Sequence, residues 1–287
     1  NRAIVSWVKN SNNNFLGTDK GNSIQYSQYN GTGWQGVDTV ASGTNAIIGQ
    51  DCVATQSGTA VCYVVDGDND LNTINDRSII VGGSGQTTIA SGTVSAPKYA
   101  KYGSGNALFW YNDGNISYLS DVNYPTNIKH VFSSNDNRVS DRFTILENGS
   151  TPSIVWPYTS NGEGIILGSI CDASGAWTLP IEMARTGHSL DSVSGCIENN
   201  SRVMAFVRKT DIATTDKTDL CIATQRSGGD LVLDQDSLYI DDTDLASGAT
   251  MMIGVDIENA GTTTISSMVG ELVQNGKSLT KLNIPQK

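Results

Sequence analysis

The 287-residue sequence contains no apolar run of about 18 residues, so no segment is suited to cross a bilayer as a helix. Basic residues are also scarce: 18 lysines and arginines face 29 aspartates and glutamates, which gives a net charge of −11. That charge would repel a nucleic-acid backbone and an anionic membrane surface. We therefore predict no nucleic-acid partner and no membrane insertion, and expect cations and neutral polar ligands instead.

Histidine is nearly missing, because His130 and His188 are the only two. A metal cage of histidines or a histidine-based triad is therefore not expected. Charged residues make up only 16% of the chain, and a surface rich in Asn, Ser and Thr is typical of exported proteins. The sequence opens at Asn1 without an initiator methionine or a signal peptide. We expect a processed or excised part of a bacterial or archaeal extracellular or cell-surface protein.

The five cysteines leave at least one thiol unpaired. Cys52 and Cys62 flank a hairpin turn centred between residues 57 and 58. Reflection about that centre places the partner of Cys52 near position 62 or 63. Two alternatives stay open, a cross-strand disulfide or two buried thiols that pack as small apolar residues.

One short motif, a few small or aliphatic residues that end on an aromatic residue, returns along the chain. Its five aromatic anchors lie 46 to 56 residues apart. The anchors are Trp7, Tyr63, Trp110, Trp156 and Phe206. A period of about 40–50 residues with several short strands per unit is typical of the blades of a β-propeller.

Each unit shows the same order of predicted strands: an inner strand, a tight turn, the aromatic strand, a polar loop and two further strands. Apolar residues do not recur with a helical period, so the fold class is all-β. A β-sandwich would also give short alternating strands, but the regular return of the aromatic residue favours the propeller. We predict at least five blades over residues 1–228, the first without its inner strand. Inner strands are predicted at 51–55, 98–102, 142–146 and 195–198, and third strands at 24–27, 78–81, 116–118, 165–168 and 220–223.

The pattern changes in the last part of the chain. Asp-Leu-Val-Leu at 230–233 opens a new segment, Ser-Gly at 247–248 precedes a long strand, and Glu-Asn-Ala-Gly at 258–261 leads to a strand over 264–272. On these residues the segment resembles the CARDB family, an immunoglobulin-like adhesion module of prokaryotic exported proteins. The resemblance implies a partial immunoglobulin-like β-sandwich over residues 229–287. The alternative is that this segment forms the closing blade.

The loops that follow the aromatic strands should share one rim of a propeller, where ligands usually bind. Three of them are long, at 9–22, 66–77 and 209–219. In the second loop, carboxylates at alternate positions can wrap a hard cation such as calcium. The alternative to a cation site is a solvent-exposed acidic turn, because Asp and Asn are common turn residues. The predicted calcium ligands are Asp66, Asp68, Asp70 and Asp76, and Asp211, Asp216 and Asp219 stand at the corresponding place in the last loop.

Aromatic side chains at this rim are suited to stack on sugar rings, although most propeller aromatics belong to the core. The third and fourth loops combine such residues with carboxylates. The predicted ligand-binding residues are Tyr111, Asp113, Tyr158 and Glu163. The expected partner is a carbohydrate or a cell-surface protein.

Two short segments, 31–34 and 173–177, each end a Gly-containing turn on a tryptophan. They resemble the Asp-box hairpins of sialidases but lack the full pattern, so only the turn and the tryptophan carry over. The resemblance implies a structural role for Trp34 and Trp177.

We predict a binding or adhesion module without catalytic residues. The competing hypothesis is a glycoside hydrolase or lyase that uses carboxylates at the channel mouth. Its candidates are Asp51, Asp113, Glu147, Glu163 and Glu198. However, no set of carboxylates recurs at one depth on the inner strands, and the arginines are too scattered for the cluster of a sialidase. A third hypothesis is a purely structural spacer.

Overall fold

The computed structural model describes most of the chain up to residue 225 and short strands beyond it. Every regular element in these residues is a β-strand, so the protein is all-β as predicted. No helix in the described part is long and apolar enough to cross a membrane. Asp211 and Asp216 of the last acidic loop lie outside the described residues. The described residues are 3–13, 21–55, 58–82, 85–121, 126–149, 151–198, 201–209, 218–225, 231–233, 239–240, 253–254, 257–259, 268–274 and 277–284.

Five sheets follow one another, and the strands of each sheet neighbour each other in chain order. Sheet 1 comprises β1 (Ala3–Asn10), β2 (Asn22–Tyr29) and β3 (Asp38–Thr44). Sheet 2 comprises β4 (Ile47–Ala54), β5 (Thr59–Val65), β6 (Arg77–Gly82) and β7 (Thr87–Gly92). Sheet 3 comprises β8 (Val94–Tyr102), β9 (Gly105–Asn112), β10 (Asn115–Leu119) and β11 (Lys129–His130). Sheet 4 comprises β12 (Thr144–Leu146), β13 (Ser153–Ser160), β14 (Glu163–Ile170) and β15 (Ile181–Thr186), and sheet 5 comprises β16 (Leu190–Glu198), β17 (Ser201–Lys209) and β18 (Thr218–Gln225).

The aromatic anchors occupy equivalent strands. Each anchor of sheets 2 to 5 lies on the second strand, and Tyr63, Trp110 and Trp156 are fully buried. Burying a large apolar side chain stabilises a fold by about 1.5–3 kcal/mol. Trp7 on β1 is only half-buried. Sheet 1 starts with the aromatic strand, since the described residues supply no inner strand before it.

The hydrophobic core lies between successive sheets. Tyr63 packs with Ile24 of sheet 1, and Trp110 packs in a cluster with Ile79 of sheet 2. Trp156 belongs to the cluster that contains Phe109 of sheet 3. Each of these anchors therefore faces the preceding sheet, which explains why they are buried. No sheet precedes sheet 1 among the described residues, so Trp7 has no equivalent cover.

The described residues of the C-terminal part form three two-stranded sheets: 231–233 pairs with 257–259, 239–240 with 253–254, and 268–274 with 277–284. Their strands are β19 (Leu231–Leu233), β20 (Tyr239–Ile240), β21 (Ile253–Gly254), β22 (Ile257–Asn259), β23 (Met268–Gln274) and β24 (Lys277–Ile284). The chain divides into two compact units. The first comprises Asn1–Ile197 and Met204–Ile222, and the second comprises Glu198–Val203 and Ala223–Lys287. The boundary at residue 229 and the immunoglobulin-like fold stay predictions.

The register of the first complete hairpin differs from the expected one by a residue. Cys52 lies opposite Val61, not opposite position 62 or 63. Successive residues of a strand point to opposite faces, so Cys62 is directed away from Cys52. All five cysteines are free thiols, and Cys62 is fully buried. The structure therefore selects the alternative of separate thiols over the disulfide.

Candidate functional site

A cavity of about 410 Å³ is lined by residues from the ends of the second strands of sheets 3 and 4 and from the loop after the second strand of sheet 2. Ile74 and Arg77 come from the loop after β5 and the start of β6, Tyr111 from the end of β9, and Tyr158 from the end of β13. The fourth wall is the segment 137–141, between sheets 3 and 4. We call this space the tyrosine cleft.

Tyr111 and Tyr158 have the same kind of environment. Tyr111 directly follows the buried anchor Trp110, Tyr158 lies two residues after the buried anchor Trp156, and each tyrosine is half-buried. Both rings pack against the cluster between sheets 3 and 4. Packing restrains the rings while part of each side chain lines the cleft. A restrained aromatic face beside polar groups is the usual composition of a small-molecule site.

The wall at 137–141 is held in place by polar contacts. Arg138 donates two hydrogen bonds from Nε to the carboxylate of Asp136, at 3.1 and 3.2 Å, and one from Nη2 at 2.7 Å. These bonds hold the pKa of Asp136 below its ordinary value. The Val139 amide donates to the Asp136 carbonyl at 3.0 Å. Asn137 and Arg138 were not predicted from the sequence, although the polar run at 133–142 marks the segment.

A second cavity, of about 630 Å³, adjoins the first, because Tyr111 and Asn137 line both. We call it the acidic cleft. Asp113, Asn135 and Asp136 complete much of its lining. Asp113 is exposed and has a positive φ of 44°, and the Asp136 amide donates to the Gly114 carbonyl at 2.7 Å. The Asp113–Gly114 turn is thereby tied to the segment that forms the other wall.

Three of the four predicted ligand residues therefore line the two cavities, and the fourth does not. Tyr111 and Tyr158 share the tyrosine cleft, and Asp113 lies in the adjoining acidic cleft. Glu163 lines neither cavity, and its carboxylate accepts a hydrogen bond from Arg185 Nη1 at 2.5 Å.

The predicted cation loop brings three of its four carboxylates together. One oxygen each of Asp66, Asp68 and Asp76 can be chosen so that all lie within 4.8 Å of one another. Gly67 permits this approach, because a β-carbon there would lie 2.7 Å from the Asp76 carboxylate. Asp70 is not a member of the group, and its carboxylate accepts hydrogen bonds from the amide and side chain of Asn72.

The electrostatics of this group suit a cation. Asp66 is fully buried, and neither of its carboxylate oxygens accepts a well-formed hydrogen bond from a described residue. Burial raises the pKa of Asp66 above its ordinary value, and the charges of Asp76 and Asp68 add to the shift. The Asn69 amide and Arg77 oppose it, with Arg77 Nε 3.7 Å from Asp66. Buried carboxylate oxygens without donors match the oxygen ligands that calcium prefers.

Several carboxylates of the hydrolase hypothesis have structural partners. Asp51 accepts the Tyr99 amide at 2.7 Å, and Glu147 accepts the Lys101 amide at 2.7 Å. Both bonds join neighbouring sheets through β8. Burial nevertheless raises the pKa of Asp51. The side chain of Glu198 lies outside the described ones.

The two tryptophan turns share a hydrogen-bond pattern. Asn30 Oδ1 accepts the amide of Thr32, and Asp172 Oδ1 accepts the amide of Ser174. The ring of Trp177 stacks on Tyr102 of sheet 3, with an interplanar angle of 3° and centroids 6.4 Å apart. Trp34 is 57% exposed and contacts the ring of Tyr29 in its own sheet.

No protein-family model matches the sequence, and no curated protein matches it. Among solved structures, the chain is similar to a mutant of the NanB sialidase from Streptococcus pneumoniae, with a TM-score of 0.41 and 11% identity. The match covers 69% of this chain and 34% of that one, so this chain spans about a third of the sialidase structure. A similarity of this size carries no argument about activity.

Proposed function

We propose that the chain is an extracellular carbohydrate-binding module of a larger bacterial surface or secreted protein. The observation that carries the proposal is the pair Tyr111 and Tyr158, which lie near the ends of the second strands of sheets 3 and 4 and line one cleft. Tyrosine faces pack on the C–H faces of sugars while their hydroxyl groups stay available for hydrogen bonds. Asn137, Ser140 and Thr159 add polar groups that suit sugar hydroxyls.

The proposed architecture is a β-propeller over residues 1–228. Three four-stranded meanders with the same strand order, and cores placed between successive sheets, support it. The loops after the second strands would then form one ligand rim. For residues 229–287 we retain the immunoglobulin-like adhesion module. Strands β23 and β24 of this segment pair in antiparallel orientation.

Calcium is the proposed cation of the loop at 66–76. Asp66, Asp68 and Asp76 would supply carboxylate oxygens, and the remaining ligands would be carbonyl groups or water. The ion would stiffen a loop that contributes Ile74 to the tyrosine cleft. Its role here is structural, because the carboxylates named do not line the cleft.

The test is binding to a printed glycan array, followed by calorimetry on the best ligand. Tyr111→Ala and Tyr158→Ala should each weaken binding at least about tenfold, which corresponds to about 1.4 kcal/mol. The matched control is Tyr29→Ala, which removes a tyrosine that lines neither cavity. Absence of binding to any glycan, or equal loss in all three variants, would reject the carbohydrate proposal and favour a protein partner at this face.

A further inference from the structure

The tyrosine cleft and the acidic cleft adjoin each other, since Tyr111 and Asn137 line both. The first cavity is about 410 Å³ and the second about 630 Å³. Their linings differ in character. Tyr158 and Pro157 give the first an apolar wall beside the charged residues Arg77, Arg138 and Asp141, whereas the charged residues of the second are Asp113 and Asp136.

The charge of the acidic cleft is set by Asp113. Asp136 is paired with Arg138, which offsets its charge. Asp113 forms no ion pair with a described residue, and its amide donates to the Thr93 carbonyl at 3.1 Å, which leaves the carboxylate exposed to a ligand. A carboxylate accepts hydrogen bonds from hydroxyl or ammonium groups and repels sulfate and carboxylate groups.

The backbone also shapes this second space. Gly114 has a φ of 80°, and a β-carbon there would lie 3.4 Å from the Asp136 carbonyl oxygen. The left-handed backbone at residue 114 favours glycine, and the Asp136 amide donates a hydrogen bond to the Gly114 carbonyl at 2.7 Å. The turn that presents Asp113 is therefore held against the segment 135–137, and the acidic cleft is formed before any ligand arrives.

We propose that the two clefts form one groove for an oligosaccharide of at least two sugar units. One unit packs between Tyr111 and Tyr158, and the next lies over Asp113. The second unit is neutral or carries an amino group. This inference rests on the proposed carbohydrate function and specifies its ligand: an extended chain without acidic groups at the Asp113 end.

The experiment is an array that presents glucose, N-acetylglucosamine, glucosamine and galacturonic acid, each as chains of one to four units. Wild-type protein should bind chains of two or more units of a neutral or amino sugar at least about tenfold more tightly than the single unit. Galacturonic acid chains should show no such gain. Asp113→Ala with Asn135→Ala should remove the gain from chain length while the affinity for the single unit stays within about threefold. Tyr158→Ala should weaken single units and chains alike.

Asp113→Asn separates charge from shape. It should reduce the affinity for glucosamine chains more than the affinity for N-acetylglucosamine chains, because only the former carry a positive charge. Asp38→Asn makes the same charge change at an exposed residue outside both clefts and should alter neither. Binding that does not increase with chain length, or an equal gain for galacturonic acid, would overturn the inference while leaving the carbohydrate function intact. Failure of every chain on this array and on the general array would instead reject the proposed function.

Discussion

The indole Nε1–H of Trp156 donates a hydrogen bond to the backbone carbonyl of Arg138 at 2.8 Å. One of the repeating core anchors thus holds the segment that lines both clefts. The equivalent residue of sheet 3, Trp110, is just as buried, but its Nε1–H has no hydrogen-bond acceptor among the described residues. The two tryptophans share a packing role, and only one of them also positions the candidate site.

This pair gives a matched test of stability. Trp156→Phe and Trp110→Phe remove the same volume from equivalent core positions, but only the first leaves a carbonyl without its donor. We expect Trp156→Phe to cost about 1–3 kcal/mol more in the free energy of unfolding than Trp110→Phe. Urea denaturation measures the difference. Equal costs would show that the bond to Arg138 contributes no net stability.

Asp66 predicts a pH dependence in the presence of a chelator. Its pKa is raised in the folded protein, so the folded state holds this proton more tightly than the unfolded chain. Its stabilising contribution is full below the ordinary pKa of about 4 and is lost as the pH rises through the raised value. The stability of Asp66→Asn relative to wild type should therefore increase with pH from about 4 upward. Denaturation curves across that range check the sign, and a constant difference would contradict it.

Calcium should reverse the order of stability of wild type and Asp66→Asn. At free calcium about 100 times Kd, wild type should gain about 2.7 kcal/mol in the free energy of unfolding, whereas Asp66→Asn should gain little. Asp70→Asn is the control, because its carboxylate lies outside the group of three. Thermal melting with calcium and with chelator measures the effect. Loss of the calcium response in Asp70→Asn would instead support the site of four aspartates predicted from the sequence, with Asp70 as a ligand.

The free thiols should differ in reactivity. Cys196 is exposed, whereas Cys62 is fully covered and burial raises the pKa of its thiol well above the ordinary value. Since the thiolate is the reactive form, a maleimide should label Cys196 first in the native protein and Cys62 only after unfolding. Peptide mass spectrometry identifies the labelled sites. A Cys52–Cys62 disulfide found without added oxidant would contradict the observed register.

The two tryptophan turns supply a second matched pair. Trp177 stacks on Tyr102 of the neighbouring sheet, while Trp34 is largely exposed. We expect Trp177→Ala to destabilise the fold by about 3–5 kcal/mol and Trp34→Ala by less than about 1 kcal/mol. Denaturation by urea measures both. Similar costs would mean that Trp34 is covered by a contact outside the described residues.

Local pattern was sufficient to predict much of the fold. The strand predicted at 116–118 lies within β10, and the strand predicted at 165–168 lies within β14. Both predictions depend on alternating apolar residues and on turns rich in Gly and Asn, which act over a few residues. The same local signals predicted that the five aromatic anchors lie on equivalent strands. The turn residues did not predict the register of β4 and β5, because the pairing is centred one residue earlier than those residues indicate, and such a displacement changes every pair.

The candidate site depended on contacts that no local pattern encodes. Arg138 belongs to a segment without strand periodicity, and it lines the tyrosine cleft because Trp156, 18 residues later, binds its carbonyl. Glu163 resembled a ligand residue in sequence, but the neighbouring strand places Arg185 against it. The alternation of apolar and polar residues and the conformational preferences of turn residues depend on residues close together in the chain. The sequence by itself therefore determined the all-β class and the order of strands. Which loops meet, and which carboxylates find partners, was decided only by the packing of distant strands in the tertiary structure.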